Sequence, residues 1–361
     1  MARARRWRRL RCARGALVAA LVLAAAPLGA NERVTGGASG FTIVAVGDIM
    51  LGGTAAPELE RYGYDYPFVH VRRYLARADL AFGNLEGPLT ERGTPFAKEY
   101  VFRSPPQQVA PALARAGFDV LALANNHSMD YGVEGLRDTV AALERAGIAY
   151  AGAGESLAAA RRPALLEVAG ARVALLAYSL TFPEEFWAGP ARPGSAFGHE
   201  RHVRADVATA RTRADVVLVS FHWGREGTTE LRDYQRQLGR AAIEAGAAAV
   251  FGHHPHVLQG VERYRDGLIF YSLGNFVFGS YSRTATRSAI AELRVRDGRV
   301  RQARLYPISV DNVALVFQPR PLTGAEADAV VQELQRLSWE LGTPVYNRDG
   351  VALLELGADG P

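Results

Sequence analysis

This sequence predicts an α/β fold, on three observations. Short β-branched or aliphatic runs alternate with amphipathic stretches along most of the chain, which is the pattern of strands and helices wound in sequence. The runs are apolar nearly throughout, as strands covered on both faces are. Six of them stop in a polar cluster, and in open α/β sheets ligands bind beyond the carboxyl ends of the strands.

The first element is not part of that alternation. MARARRWRRLRCARGALVAALVLAAAPLGA places seven arginines and no acidic residue ahead of an apolar run from Ala16 to Ala26. Small residues lead on to Ala30, and together these parts predict an export signal cleaved there. The apolar run is short for a membrane span. Left uncleaved, it would hold the protein at a membrane. The pairs Arg5-Arg6 and Arg8-Arg9 suit a twin-arginine route, but in so arginine-rich a stretch the match carries little weight. The leader's seven arginines exceed the whole net charge of +5, so the remaining chain is slightly acidic. The basic balance therefore describes an export signal and argues against a nucleic-acid partner. The one cysteine, Cys12, precedes the apolar run, so it is no lipoprotein attachment site and leaves with the leader. The mature chain then has no disulfide and no thiolate ligand, and any metal must sit on His, Asp, Glu or Asn.

Residues 31–40, with VTGGASG, read as a linker. Residues 41–318 are expected to form one domain, with 319–361 a C-terminal helix and tail packed on it. Strands are expected at FTIVAVGD (41–48), ADLAFGNLE (78–86), FDVLALANNH (118–127), ARVALLAYS (171–179), DVVLVSFHWG (215–224), AAAVFGHHPH (247–256) and LIFYSLGNF (268–276). Helical periodicity appears over 67–78, 106–116, 133–146, 203–213, 232–245 and 324–341. Two alternating runs flank Asp297-Gly298 within 289–308, a hairpin expected at a sheet edge.

The clusters that end the runs are Gly47-Asp48, Asn84 to Glu86, Asn125 to His127, His222 to Gly224, His253 to His256 and Gly274-Asn275. Five of the eight histidines lie in them. Each has a plainer reading by itself: Asp48 as a helix cap, Asn125-Asn126 as turn formers, His222 as a core histidine. Three neighbouring imidazoles add little to packing, however. Polar groups buried together need partners or a cation. The ordered set points to metal.

The succession GDIMLGG, GNLEGPL, NNHSMDYG, HWG, GHHPH and SLGNF resembles the CapA family, linked to poly-γ-glutamate capsule synthesis and related to the calcineurin-like metallophosphoesterases. The resemblance runs from about residue 41 to 280. It implies a four-layer α/β/β/α sandwich of the metallophosphoesterase type around a site for one or two divalent cations. Asp48 then matches the first ligand aspartate, and Glu86 stands at the bridging position with Asn84 beside it. Asn126 matches the amide ligand, and His127 the neighbouring histidine that assists a leaving group. His222 matches the isolated ligand histidine, and His254 with His256 the closing pair. The chain departs from the pattern at Met50, where the superfamily has histidine, and at Asn84 and Glu86, where aspartate is usual. One metal position is therefore expected to be weaker, or built differently, than in a true phosphoesterase.

Chemically, imidazoles mixed with carboxylates suit Mn, Fe or Zn. Two such cations would acidify water and clamp reacting oxygens. His127 would pass a proton, oriented by Asp130 three residues on. Lys98 is the only lysine beside 41 arginines, and with Arg103 it is a candidate for holding an anionic group of the substrate. Glu226 and Asn275 are candidates for supporting the ligands. His253 is expected to be a bystander, and His70, His199 and His202 to be surface residues. The expected protein is exported to the periplasm or cell surface, or anchored by an uncleaved leader. The favoured function is a metal-dependent hydrolase or transferase on an envelope or capsule polymer such as a γ-glutamyl chain. An extracytoplasmic phosphoesterase and a non-catalytic capsule-export subunit are the alternatives. Expected partners are an anionic polymer or small anionic substrate and a capsule-synthesis membrane complex.

Overall fold

The structure is a computed structural model and describes residues 40–356; the predicted leader and nearly all of the linker lie outside them. β1 (Phe41–Met50) is buried almost throughout and carries the GDIM motif at its end. After α1 (Ala56–Tyr62), the helix expected over 67–78 shortens to α2 (Arg72–Arg77). Pro67 sits in a separate 3-10 turn, Tyr66–Phe68, because proline fits a first turn and not a helix interior. β2 (Leu80–Leu85), α3 (Pro106–Ala116), β3 (Val120–Ala122), α4 (Gly132–Ala146) and β4 (Ala149–Ala151) continue the alternation. Then come β5 (Ala153–Gly154), α5 (Leu157–Ala160), β6 (Ala164–Val168), β7 (Ala171–Ser179) and β8 (Gly194–Ser195). α6 (Glu200–Arg211), β9 (Val216–His222), α7 (Asp233–Glu244) and β10 (Ala249–His253) bring the chain to the histidine triplet. β11 (Val261–Tyr264), β12 (Gly267–Phe270) and β13 (Asn275–Phe278) follow. The rest is β14 (Arg287–Arg296), β15 (Arg299–Ser309), α8 (Asn312–Leu315), β16 (Arg320–Pro321), α9 (Gly324–Trp339), β17 (Tyr346–Arg348) and β18 (Val351–Glu355).

The fold class is α/β, as the alternation predicts. One sheet runs β17-β18-β15-β14-β1-β2-β3-β4, with β13 also on β1 and β16 on β15; a second runs β11-β12-β10-β9-β7-β6. β1 to β4 are mutually parallel, as are β7, β9, β10 and β12. The apolar inner faces meet in one core, where Phe82 of β2 and Phe251 of β10 lie 5.4 Å apart. The outer face of the first sheet packs on α1 to α4, and that of the second on α6 and α7. Strands buried on both faces explain why the runs read as continuous apolar segments rather than alternating ones.

Three further expectations change. The run 118–127 pairs only over β3, since Asn125 to His127 turn their polar groups into the site instead of extending the ladder. The run 268–276 is two strands: β12 belongs to the second sheet and β13 to the first. Gly274, at φ 75°, makes the crossing. The Asp297-Gly298 hairpin forms, with both turn residues at positive φ (55° and 69°), as a type I′ turn requires. It is not at an edge, because β18 pairs with the far side of β15.

Candidate metal centre

Parallel register assembles the site. Asp48 of β1 lies level with Asn84 of β2 on one side and Asn275 of β13 on the other. In the second sheet His222 of β9 lies level with His253 of β10. The strand ends of both sheets therefore deliver their polar residues to a common rim.

Asp48 and Glu86 are the two carboxylates, and both are fully buried. His253 Nδ1 and His256 Nδ1 each lie 3.1 Å from an Asp48 oxygen, and the backbone N–H of His254 donates to Asp48 Oδ2 at 3.2 Å. His256 Nδ1 also lies 2.9 Å from Asn275 Oδ1. The Asn84 amide donates to Asp48 Oδ1 at 2.9 Å and to Glu86 Oε2 at 3.2 Å. Its oxygen accepts from Asn125, which also donates to the Leu85 carbonyl. His222 Nε2 lies 2.8 Å from Asn126 Oδ1 and 3.7 Å from Glu86 Oε1.

Among the described residues, two sets of side chains could hold a cation: Asp48, Glu86 and His222, and Glu86, His254 and His256. In each set, one ligand atom per residue lies within 4.8 Å of the others. Glu86 belongs to both.

The residues fit such a group on observations of their own. Glu86 Oε1, His253 Nε2 and His254 Nδ1 are buried without a hydrogen-bond partner, a state that costs free energy unless something else binds them. Burial, reinforced by the Asp48 charge, holds the Glu86 carboxyl well above its usual range. Two carboxylates this close cannot both ionise cheaply without a cation. For Asp48 burial pulls upward, but hydrogen bonds from His253 and His256 outweigh it and hold its carboxyl well below the usual range. Burial opposes a charged His256 too, yet Glu86 and Asp48 prevail and raise it to about 9. His254 goes the other way, down to about 3, through burial and the His256 charge. Burial likewise lowers His222. Neutral imidazoles are the form that binds a metal. His254 and His256 stand at φ 92° and 61°, a left-handed backbone that non-glycine residues adopt at a cost and that clusters at functional sites.

His127 sits beside this centre with Nδ1 2.7 Å from Asp130 Oδ2. A carboxylate can only accept, so Nδ1 carries the proton and Nε2 is left for chemistry. Burial lowers the His127 pKa, against the pull of Asp130. Asp130 is fixed further by the Phe102 N–H at 2.7 Å. Lys98 points inward. Its Nζ lies 2.6 Å from Asp130 Oδ1, 2.5 Å from the Asn126 carbonyl and 3.1 Å from His127 Nδ1. Its ammonium is engaged by the protein and not offered to a substrate anion. Arg103 is exposed and lies over the Tyr131 ring at 4.8 Å. Glu226, also exposed, reaches only to 3.9 Å from His254.

His253, expected to be a bystander, is fully buried and bonded to Asp48, so it belongs to the network. Its place at the end of β10, level with His222, is the signal that separates it from a surface histidine. His70 and His199 are exposed as expected, while His202 is half-buried. Met50 is buried, and a Cβ on Gly53 would lie 3.1 Å from its Cε, so the place of the missing histidine goes to packing.

Residues 42–280 match the family model described as bacterial capsule synthesis protein PGA_cap. Over 292 residues the chain is 35% identical to capsule biosynthesis protein CapA of Bacillus anthracis, covering 79% of this chain and 70% of that one. Over 267 residues it is 34% identical to PGA biosynthesis protein CapA of Bacillus subtilis, covering 73% and 70%. Among solved structures it aligns with the calcineurin-like phosphoesterase YfkN of Bacillus subtilis at a TM-score of 0.41 and 14% identity, over 73% of this chain and 88% of that one. The family match over most of the chain and these identities together place it: the chain belongs to the PGA_cap family of bacterial capsule synthesis proteins, with the CapA proteins among its relatives.

Proposed function

We propose that this protein is a metal-dependent hydrolase or transferase that cleaves γ-glutamyl amide bonds of a capsule or envelope polymer. It works outside the cytoplasm, released after export or held at the membrane by its leader, with the anionic polymer and a capsule-synthesis membrane assembly as its partners. The observation that carries the reading is Glu86, a residue shared by two ligand sets and set against a second carboxylate, whose buried Oε1 has no hydrogen bond. Asp48, Glu86, Asn126, His222, His254 and His256 would hold one or two Mn, Fe or Zn ions. Cations bound there supply Lewis acidity.

The chain's own groups do the rest. Asn84, His253 and Asn275 fix the orientation of the ligands. In hydrolysis water adds to the carbonyl carbon and the C–N bond breaks. His127 takes the proton at Nε2 and returns it to the departing amine, held in that tautomer by Asp130.

Metal content per chain, measured after loading with Mn or Zn and dialysis, tests this. About two equivalents are expected, falling to about one or less in His254→Ala, which removes a ligand from one set only. A protein that retains no metal at all sinks the proposal.

A further inference from the structure

A cavity of about 460 Å³ opens beside the centre, with Asn126 and His254 in its lining. Four aromatic rings, Phe182, Trp187, Phe197 and Tyr234, line it together with Leu180, Thr181 and Gly224. Trp187 lies 4.1 Å from Phe197 and 5.8 Å from Phe182, between ring centroids. Its indole N–H donates to the Thr181 carbonyl at 3.0 Å, which fixes the ring. Phe182 is 70% exposed. Such a large ring turned to solvent beside a candidate site is a surface left to be covered.

The lining is also uncharged. No Asp, Glu, Lys or Arg lines it, in a chain where 22% of residues are charged. An ionised carboxylate would find no basic side chain in this lining to pair with, whereas flat neutral groups stack favourably on aromatic rings. The cavity is of ligand size, and two of the residues assigned to the metal line it.

We propose that this cavity is the subsite for the uncharged part of the substrate, the amide–methylene backbone of a γ-linked acidic chain, seated on Phe182 and Trp187 with the α-carboxylates kept outside. This rests on the functional reading above for the identity of the polymer. A γ-linked chain suits such a wall because its carboxylates hang off a backbone of planar amides and methylenes. An α-linked chain of the same composition crowds each amide with a branch and carries its carboxylates at the branch ends.

The test compares γ-linked with α-linked triglutamate, which have the same atoms and the same charge. Binding to the metal-loaded protein is followed by calorimetry and by the Trp187 indole N–H resonance, assigned with Trp187→Phe. The γ-linked peptide is expected to shift that resonance saturably and to bind about tenfold tighter than the α-linked one. Phe182→Ala is expected to weaken it by about tenfold, the scale of one stacking contact, while metal content stays unchanged. Equal affinity for the two peptides overturns the proposal. So does calorimetric binding of the γ-linked peptide that leaves Trp187 unmoved and is indifferent to Phe182→Ala; in that case the polymer reading survives and the subsite alone fails. If the γ-linked peptide does not bind at all, both fail together. Benzamide, a flat neutral probe, then shows by its effect on Trp187 whether the cavity takes neutral planar groups of another origin.

Discussion

The ammonium of Lys98 lies 2.6 Å from Asp130, whose carboxylate is fully buried, and the same carboxylate holds His127 by its other oxygen. The three side chains form one unit. Lys98→Met strips the buried carboxylate of its counter-charge and is expected to cost about 3 kcal/mol of stability. Adding Asp130→Asn to that variant removes the orphaned charge as well, so the double variant should lose less than the sum of the two single losses. Denaturant unfolding of all four proteins checks this. Strict additivity would show that the two groups act independently. The residue scale also marks how far sequence reading reaches. Lys98 stood out by composition, but the direction of a long flexible side chain depends on which buried acceptors the fold brings near it. Asp130 and the Asn126 carbonyl come from another segment. His253 was misjudged for a related reason: two neighbouring ligands made it look redundant, and only pairing level with His222 shows that it faces the centre.

At the scale of elements, the motifs owe as much to close backbone approach as to ligands. A Cβ on Gly47 would lie 1.8 Å from the Gly274 carbonyl oxygen, and one on Gly252 would lie 1.9 Å from that of Tyr271. Both are backbone contacts, which cannot move aside as a side-chain tip can. Gly47 thus lets β13 cross from the second sheet and settle on β1, bringing Asn275 level with Asp48. Gly47→Ala is expected to force these strands apart, destabilising the protein by about 3 kcal/mol and lowering metal content together with it. Unfolding and metal content measured on one preparation check this, and a stable variant with full metal would refute it. The glycines of GDIM and SLGNF were legible as part of the motifs. Their joint purpose was not, because the two segments lie more than two hundred residues apart. Strand ends were misread in the same way. In 118–127 the apolar run continues past β3 because the site takes up Asn125 to His127, and in 268–276 it spans two strands because the chain leaves one sheet for the other at Gly274.

For the whole molecule, the apolar runs predicted the class, and the burial of sheets on both faces follows from them. The pairing order did not follow. It depends on late contacts such as β18 on β15, which move the Asp297-Gly298 hairpin from the edge to the interior. The second sheet's outer layer closes through two buried tyrosines. Tyr178 donates to Asp206 of α6 at 2.8 Å, and Tyr271 donates to Glu262 of β11 at 2.6 Å. Burial, then the neighbouring carboxylate, pushes both phenols up from their ordinary value. A group whose folded pKa is raised stabilises the fold fully below its unfolded pKa, about 10 for tyrosine, and loses that contribution as pH climbs beyond it. Stability is therefore expected to hold through neutral pH and to decline above about pH 10, because the unfolded chain sheds these protons and the folded one keeps them. Ultraviolet titration of tyrosinate, run beside denaturant unfolding at each pH, separates the two states. Of the 14 tyrosines, Tyr178 and Tyr271 should ionise only together with global unfolding, whereas an exposed one such as Tyr100 should titrate reversibly in the folded protein. In Tyr271→Phe the alkaline decline should become shallower, since one of the protons responsible is gone. An unchanged slope would mean that the outer layer opens before the core does, freeing these hydroxyls without unfolding the sheets beneath them.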